Sequence, residues 1–410
     1  MDYPIQNISV KLNPNEENVI IPLEGSNLII VGNNGAGKTR FLNRIFEWLN
    51  IFYSYHDVYC VESIGKQAEI FKKQLKHYKQ DDQNYINFEG HYNGEVAKLR
   101  RLEELNIIFS SPTLFKREIK QKNVLLKFLQ AQRKYESNQS NQLTSIESLF
   151  ENYKHQNDNN LTEASSYFES FLVSMSNYSL LQKGSDNIDE FKRVDRTIRQ
   201  IESDMKSLLE SEDLKLHYNL SSLRMEILQK GREPLRFQML PSGFASILAI
   251  YAELIMHAEL RKINKDDLDG IVIIDEIDAH LHVTLQKKVF NFFAKSFPNI
   301  QFIISTHSPF VVQSVSDSVI FNLSTKEIMK DLSLYSYTSI ISGLLGEATS
   351  SEELNNLLSE LDMLSRESRF DDRFHELSAI IEKDLEKMDS KSKSIFMIAQ
   401  NKFTDWEENE

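Results

Sequence analysis

A single cysteine, Cys60, stands in 410 residues, which excludes a disulfide framework and any metal site built from cysteines. The first residues, Met1-Asp2-Tyr3-Pro4, hold no basic region followed by an apolar core, so no signal peptide is expected there. No apolar run approaches the roughly 18 residues that span a bilayer. With 41% hydrophobic and 26% charged residues, the expectation is a soluble, cytoplasmic globular protein with no membrane partner. Positive charge is also in deficit: 47 Lys and Arg stand against 60 Asp and Glu, a net charge of −13. That balance argues against a chain that coats nucleic acid by bulk electrostatics. Two local basic strips remain: Lys116, Arg117, Lys120, Lys122 and Lys127, and then Lys192, Arg193, Arg196 and Arg199. Each reads first as a solvated helix face. No internal repeat is found, and the length allows more than one domain.

What is present is concentrated in one stretch, Leu28-Ile29-Ile30-Val31 followed by Gly32-Asn33-Asn34-Gly35-Ala36-Gly37-Lys38-Thr39-Arg40. Four apolar residues read as a buried strand, and the turn after them fits G-x-x-x-x-G-K-[ST]. Phe41, Leu42, Ile45, Phe46 and Leu49 then recur at helical spacing, so strand, loop and helix follow in the order that a phosphate-binding loop requires. Glycines let successive N–H groups turn inward around phosphate oxygens, and the helix N-terminus adds a favourable dipole. Lys38 would reach the β- and γ-phosphates of ATP, and the Thr39 hydroxyl would ligate Mg²⁺.

Short apolar runs (Ile5 to Val10, Val19 to Leu23) separated by Asn13-Pro14-Asn15 and Gly25-Ser26 predict strands ahead of this loop. Val58 to Val61 predicts a further strand, Ile64 to Gln80 a charged helix, and Ile107 to Phe109 another strand. From Leu114 to Lys230 helical periodicity dominates and glycine nearly disappears, although no heptad repeat persists. An apolar-faced helix follows Leu240-Pro241-Ser242-Gly243. Gly270 to Ile274 reads as a buried strand, a helix is predicted from Thr284 to Lys295, and Gln301 to Ser305 reads as the next strand. Such an order implies a mostly parallel sheet with helices on its faces, an α/β fold. After Leu323 only helices are predicted, with Ser350 and Glu353 as a capping box for the first and Asp371 to Met388 as the second. The expected organisation is 1–112 and 231–323 as two parts of one ATPase head, 113–230 as a helical insertion, and 324–410 as a helical tail for oligomer or partner contact.

Asp275 and Glu276 end the Gly270–Ile274 run, where Asp275 would hold Mg²⁺ and Glu276 would orient or deprotonate the attacking water. His307 follows the next strand, within reach of the γ-phosphate or that water. Ser242 and Gly243 open a helix whose N-terminus has no phosphate of its own to bind; facing the ATP of a second subunit it would have one. This predicts a nucleotide-dependent dimer.

Those four elements in that order resemble the ABC-type ATPases, and within them the SMC/RecF/overcoming-lysogenization-defect branch. Asp275-Glu276-Ile277-Asp278-Ala279-His280-Leu281-His282 is similar to the branch's Asp-Glu-Pro-Glu-x-His-Leu-His, and Phe302 to Pro309 is close to its usual form. The resemblance implies a P-loop ABC-type head and ATP sandwiched between two such heads. Lys38, Thr39, Asp275, Glu276 and His307 would then act from one subunit, and Ser242 and Gly243 from the other, with Asp278 and His280 at the seam. The chain departs from the family at Pro241, Phe244 and Ile277, and its glutamine loop is not evident, Gln83 being the one candidate. Phe244 to Leu248 and the short helical tail also look like the stand-alone ATPase subunits of bacterial anti-phage systems such as Septu and PARIS. This narrower likeness implies an ATP-hydrolysing, oligomeric sensor and scaffold that controls a separate nuclease or toxin, triggered by nucleic acid or a phage protein. Three other readings compete with it: a DNA repair or recombination ATPase, an RNase built into the tail from Arg366, Arg369, Arg373, His375 and Glu376, and a transporter subunit. The last lacks the expected Gln after the signature glycines.

Overall fold

A computed structural model describes residues 4–12, 17–55, 60–133, 135, 144–157, 164–330, 332, 340, 352–383, 385, 388 and 390–407. The chain divides into two compact units, Met1–Ser333 and Leu334–Glu410.

In the first unit, β1 (Ile5–Val10) and β2 (Val19–Pro22) precede β3 (Asn27–Val31), α1 (Lys38–Ser54), α2 (Cys60–Leu75) and α3 (Gln83–Glu104). Then come β4 (Leu105–Phe109), α4 (Pro112–Lys120), β5 (Leu125–Leu129), α5 (Ile146–Asn157), α6 (Phe168–Gly184) and α7 (Ile188–Leu208). Three strands follow, β6 (Lys215–Asn219), β7 (Arg224–Leu228) and β8 (Leu235–Arg236), before α8 (Ser242–Arg261) and β9 (Gly270–Ile274). The unit continues through α9 (Val283–Gln286), α10 (Val289–Ser296), β10 (Ile300–Ser305), α11 (Pro309–Gln313), β11 (Ser318–Asn322) and β12 (Ile328–Lys330).

The central sheet runs β12-β11-β3-β10-β9-β5, and every pairing in it is parallel except β11 with β12. Strands β3, β9 and β10 are predominantly apolar because both their faces are buried, and Leu28, Ile273 and Ile303 are wholly buried. β10 separates β3 from β9, pairing Ile30 with Ser305 on one side and Ile274 with Ile304 on the other. The loops after β3, β9 and β10 therefore leave the sheet at the same edge, where ligands bind in open parallel sheets. An antiparallel sheet, β2-β1-β4, lies beside it. Ile5, Ile8 and Val10 of that sheet share one core with Trp48, Phe52 and Ile303. The buried Gln301 amide ties the two sheets, accepting from the Ile5 N–H at 2.8 Å and donating to the Ser26 carbonyl.

Several sequence expectations are corrected. Cys60 and Val61 begin α2 instead of ending a strand; Ile64 and Ala68, four residues apart, bury a helical stripe that overrides the short β-branched run. Val58 and Tyr59 lie outside the described residues, as do Asn13-Pro14-Asn15 and the capping Ser350. Residues 113–230 are not wholly an insertion of helices. β5 adds to the main sheet beside β9, and β6, β7 and β8 form an antiparallel sheet of their own. The helix expected from Thr284 to Lys295 is two, α9 and α10, and β12 follows Leu323 before the helices of the tail.

α8 is the one described helix long and apolar enough to cross a membrane, but 72% of that window is buried inside the protein. It is a core helix, and it carries the fully buried, charged Glu253.

The second unit packs α12 (Glu352–Arg366), α13 (Asp372–Glu382) and α14 (Ser390–Glu407) around Leu361, Phe374, Leu377 and Phe396. Asp371 caps α13 by accepting from the Phe374 N–H.

Candidate functional site

Gly32, Gly35 and Gly37 adopt φ of 146°, 80° and 91°, in the half of backbone space that side chains avoid. Those angles wind the loop after β3 back on itself, closed by the Ala36 N–H donating to the Asn33 carbonyl, and Gly37 delivers it into the first turn of α1. Asn33 is fixed from outside, its N–H donating to Ser324 Oγ at 3.0 Å. Asn33, Asn34 and Gly35 are exposed at the rim, as are Thr39 and Arg40 in the first turn of α1.

Lys38 is 6% exposed and its ammonium donates to the carbonyls of Gly32 at 2.8 Å and Asn33 at 3.2 Å, spanning the concavity. Burial pulls this ammonium below its ordinary pKa, opposed by the charges of Glu276, Asp275 and Asp278. The cation thus faces the acids that end β9. Thr39 Oγ1 donates to Asp275 Oδ2 at 2.8 Å, although 236 residues separate them. The other Asp275 oxygen accepts from Ser305 Oγ at 2.5 Å, and the same Ser305 Oγ accepts from the Glu276 N–H at 2.8 Å. Thr39 and Asp275 present the hydroxyl and carboxylate oxygens that a Mg²⁺ ion takes in sites of this kind, so the donor set fits that ion and the loop fits a polyphosphate.

Glu276 has φ of 46° and is partly exposed, and His307 follows β10 at the same sheet edge, also partly exposed. Asp278, three residues after Asp275, accepts from Thr306 Oγ1 at 2.6 Å. Ser242, exposed, and Gly243, partly exposed, open the first turn of α8. A Cβ on Gly243 would lie 2.5 Å from the His280 carbonyl, so this glycine lets α8 approach the loop after β9 within one chain.

Sequence reasoning missed three residues. Gln130 follows β5 directly, beside Asp275, whose N–H donates to the Leu129 carbonyl. Arg133 donates to the carbonyls of Gln130, Asp275 and Glu276 at 2.6, 2.6 and 2.9 Å, and to Ser246 Oγ at 3.2 Å. Ser305 is the third. The signal for the first two was the apolar run of β5 ending in Gln130, obscured by Lys127 at its centre. Gln83, by contrast, opens α3 and bonds Asn87 one turn on.

Other candidate groups do not converge. Lys116 is buried, donating to the Tyr55 carbonyl with its ammonium 4.0 Å from the Phe52 ring centre, and Lys127 pairs with Glu253, so the first basic strip is not one solvated face. In the second strip Arg193 pairs with Glu190 and Arg199 with Asp195. In the second unit Arg366 pairs with Asp362, Arg369 with Glu367 and Asp371, and Arg373 with Glu360 and Glu376, while His375 stands edge-on to Phe403.

A family model described as "AAA domain, putative AbiEii toxin, Type IV TA system" matches residues 28–313. "Retron Ec83 probable ATPase" of Escherichia coli is 34% identical over 139 residues, 33% of this chain and 25% of that protein. "Septu protein PtuA" of Bacillus thuringiensis is 33% identical over 106 residues, 25% and 27% of the two chains. The chain thus spans about a quarter of the length of these curated relatives. Among solved structures, the SMC head domain from Thermotoga maritima aligns over 80% of this chain and 98% of that one, at 12% identity and a TM-score of 0.37. The expected likeness to the ATPases of anti-phage systems stands in the retron and Septu relatives, and the fold is the expected mixed α/β with a mostly parallel sheet. Matched from the strand before the phosphate loop through the helix after His307, over well more than half its length, the chain belongs to this AAA-domain (AAA_21) family.

Proposed function

We propose that the chain binds ATP with Mg²⁺, hydrolyses it, and acts as an oligomeric sensor and scaffold that controls a separate nuclease or toxin in cytoplasmic anti-phage defence. The observation that carries the ATPase reading is the 2.8 Å hydrogen bond from Thr39 to Asp275, which joins the phosphate loop to the acid pair at the end of β9. On this reading the loop N–H groups other than those of Asn33 and Ala36, which are already bonded to Ser324 and the Asn33 carbonyl, join the Lys38 ammonium in cradling the β- and γ-phosphates, with Arg40 at the rim. Thr39 and Asp275 hold Mg²⁺, which when bound neutralises charge on the β- and γ-oxygens. Glu276 accepts the proton of the attacking water, His307 hydrogen-bonds the γ-phosphate or that water, and Gln130 takes the place of the glutamine-loop residue. Ser242 and Gly243 of a second copy close over the nucleotide, so that a head-to-head dimer is the smallest active assembly.

Residues 324–410 serve oligomer or partner contact. In favour of a separate effector, Arg366, Arg369 and Arg373, the arginines a tail RNase would use, are each paired with carboxylates. The defence assignment is supported by the retron and Septu relatives, and nucleic acid or a phage protein is the trigger. The test is a pull-down of the tagged chain from its host, read for mass and partners, with phosphate release measured on the eluate. A nuclease or toxin held stoichiometrically on an even-numbered ATPase oligomer is expected. An oligomer alone, or one carrying only nucleic acid, overturns the scaffold reading, and absence of ATP turnover overturns the enzyme reading.

A further inference from the structure

Glu276 is a non-glycine residue at φ 46° two residues past the end of β9, a left-handed conformation that L side chains disfavour and that persists only where the surroundings impose it. The surroundings hold its backbone at both ends. Its N–H donates to Ser305 Oγ, and its carbonyl accepts from Arg133 Nη2 at 2.9 Å. Arg133 Nη1 also takes the preceding carbonyl, that of Asp275, and the carbonyl of Gln130, both at 2.6 Å. One planar guanidinium therefore fixes two successive carbonyls of the acid pair against the segment that follows β5. A lysine, with a single compact ammonium, has no fork to match that arrangement.

The fourth contact leads elsewhere. Arg133 Nε donates at 3.2 Å to Ser246 Oγ, and Ser246 lies four residues after Ser242, one turn into α8 on a fully buried face. The geometry points to Arg133 as a positioning residue for hydrolysis: it holds Glu276 in its strained, water-facing conformation and ties that conformation to α8. This inference rests on the ATPase reading above and adds to it a connection within one chain. A movement of α8, whose first turn faces the nucleotide of the second copy, is passed through Ser246 and Arg133 to the residue that takes the water's proton.

The experiment uses the full chain with R133A, R133K and S246A, measuring binding of a fluorescent ATP analogue, steady-state phosphate release and thermal melting. R133A should lower kcat about 10- to 100-fold, the scale of an ångström-level displacement of a reacting group. Analogue affinity and KM should stay within about threefold, because the four contacts named above engage the acid pair, the segment after β5 and α8, and not Lys38. R133K, which keeps charge and stem, should fall between R133A and the unmutated chain, and it decides the matter if R133A does not fold. S246A should slow turnover less than R133A, and the S246A/R133A pair should be no slower than R133A alone, as expected for two groups acting through one contact. R133A or R133K turning over at the unmutated rate sinks the inference, as does a loss of kcat that merely tracks lost binding or melting. Multiplying effects of S246A and R133A overturn the connection to α8. If the unmutated chain binds the analogue but releases no phosphate, the ATPase reading fails and this inference with it; if it turns over and R133A does equally, only this inference fails.

Discussion

Thr39, in the first turn of the helix after the phosphate loop, donates its hydroxyl to Asp275 at the end of β9, 2.8 Å away. Both side chains point at one small volume, and Asp275 is 3% exposed, so the pair is preset by the sheet edge and not by a mobile surface. D275N keeps the shape but removes the charge that would hold Mg²⁺. Magnesium-dependent turnover should fall by about 100-fold or more, the scale of losing one preorganised electrostatic contact. Stability should fall modestly, by about 1–2 kcal/mol, because the single amide oxygen accepts from only one of the Thr39 and Ser305 hydroxyls and the other must turn to accept from the amide N–H. Phosphate release titrated against Mg²⁺, beside a melting curve, reads both.

The Glu276 charge acts on the Lys38 ammonium, and on the proposed reading the two have opposite duties, so their variants should separate. K38A removes an ammonium suited to charge-assisted bonds with phosphate, each worth about 1.5–3 kcal/mol, and should weaken nucleotide binding by at least about tenfold to 100-fold. E276Q leaves the phosphate loop intact and removes the proton acceptor. It should bind ATP as tightly as the unmutated chain, lose about 100- to 10,000-fold in kcat, and accumulate as the closed dimer. Analogue titration and light scattering in the presence of ATP discriminate the two, and E276Q hydrolysing at the unmutated rate would remove Glu276 from the role of base.

The parts of this fold legible in the sequence are those where one physical demand acts alone. Strands β3, β9 and β10 are covered on both faces, so each is dominated by apolar residues, and the loops that leave them announce their chemistry in contiguous residues such as Gly32 to Thr39. Where two demands compete, the pattern blurs. β5 carries Lys127 at its centre because that ammonium reaches the buried Glu253 on α8 at 2.7 Å; amid helical neighbours the strand was hidden, and Gln130 and Arg133 after it were hidden too. Arg133 works through backbone carbonyls, which leave no mark in side-chain spacing. Lys116 reads as solvated charge until Phe52 and the Tyr55 carbonyl are placed around it. Cys60 and Val61 read as strand until the helical stripe of Ile64 and Ala68 is seen to be buried.

Gly243 carries a second duty besides any phosphate contact in trans. Its added Cβ would meet the His280 carbonyl at 2.5 Å and the carbonyl carbon at 3.3 Å, both backbone atoms that no rotamer change can move away. G243A should therefore displace the 276–282 loop from α8 and destabilise the chain by about 1–3 kcal/mol despite alanine's better helix propensity. Melting of the nucleotide-free chain checks this. An unchanged melting temperature would show that the glycine serves only the partner's nucleotide.

Acid should unfold the first unit through Glu253. Burial alone would raise this carboxyl, but hydrogen bonds and charge from His257 and Lys127 outweigh it and hold the pKa at about 2, and the Ser165 N–H donates to its other oxygen. A folded pKa below the unfolded value means that the ionised carboxylate favours the folded state. The contribution is fully present above the unfolded value of about 4.5 and is lost as pH falls from there towards 2. A shift of that size corresponds to about 3 kcal/mol. E253Q should forfeit a comparable amount at pH 7, since it leaves the Lys127 ammonium, 24% exposed, without its carboxylate. The same variant should then show a shallower loss of stability than the unmutated chain between pH 4.5 and 2. Urea midpoints at pH 7, 4.5 and 3 measure this directly, and parallel pH dependence in the two proteins would mean that other groups govern the acid transition, the buried His257 among them, since burial lowers its pKa and its protonation disfavours the folded state.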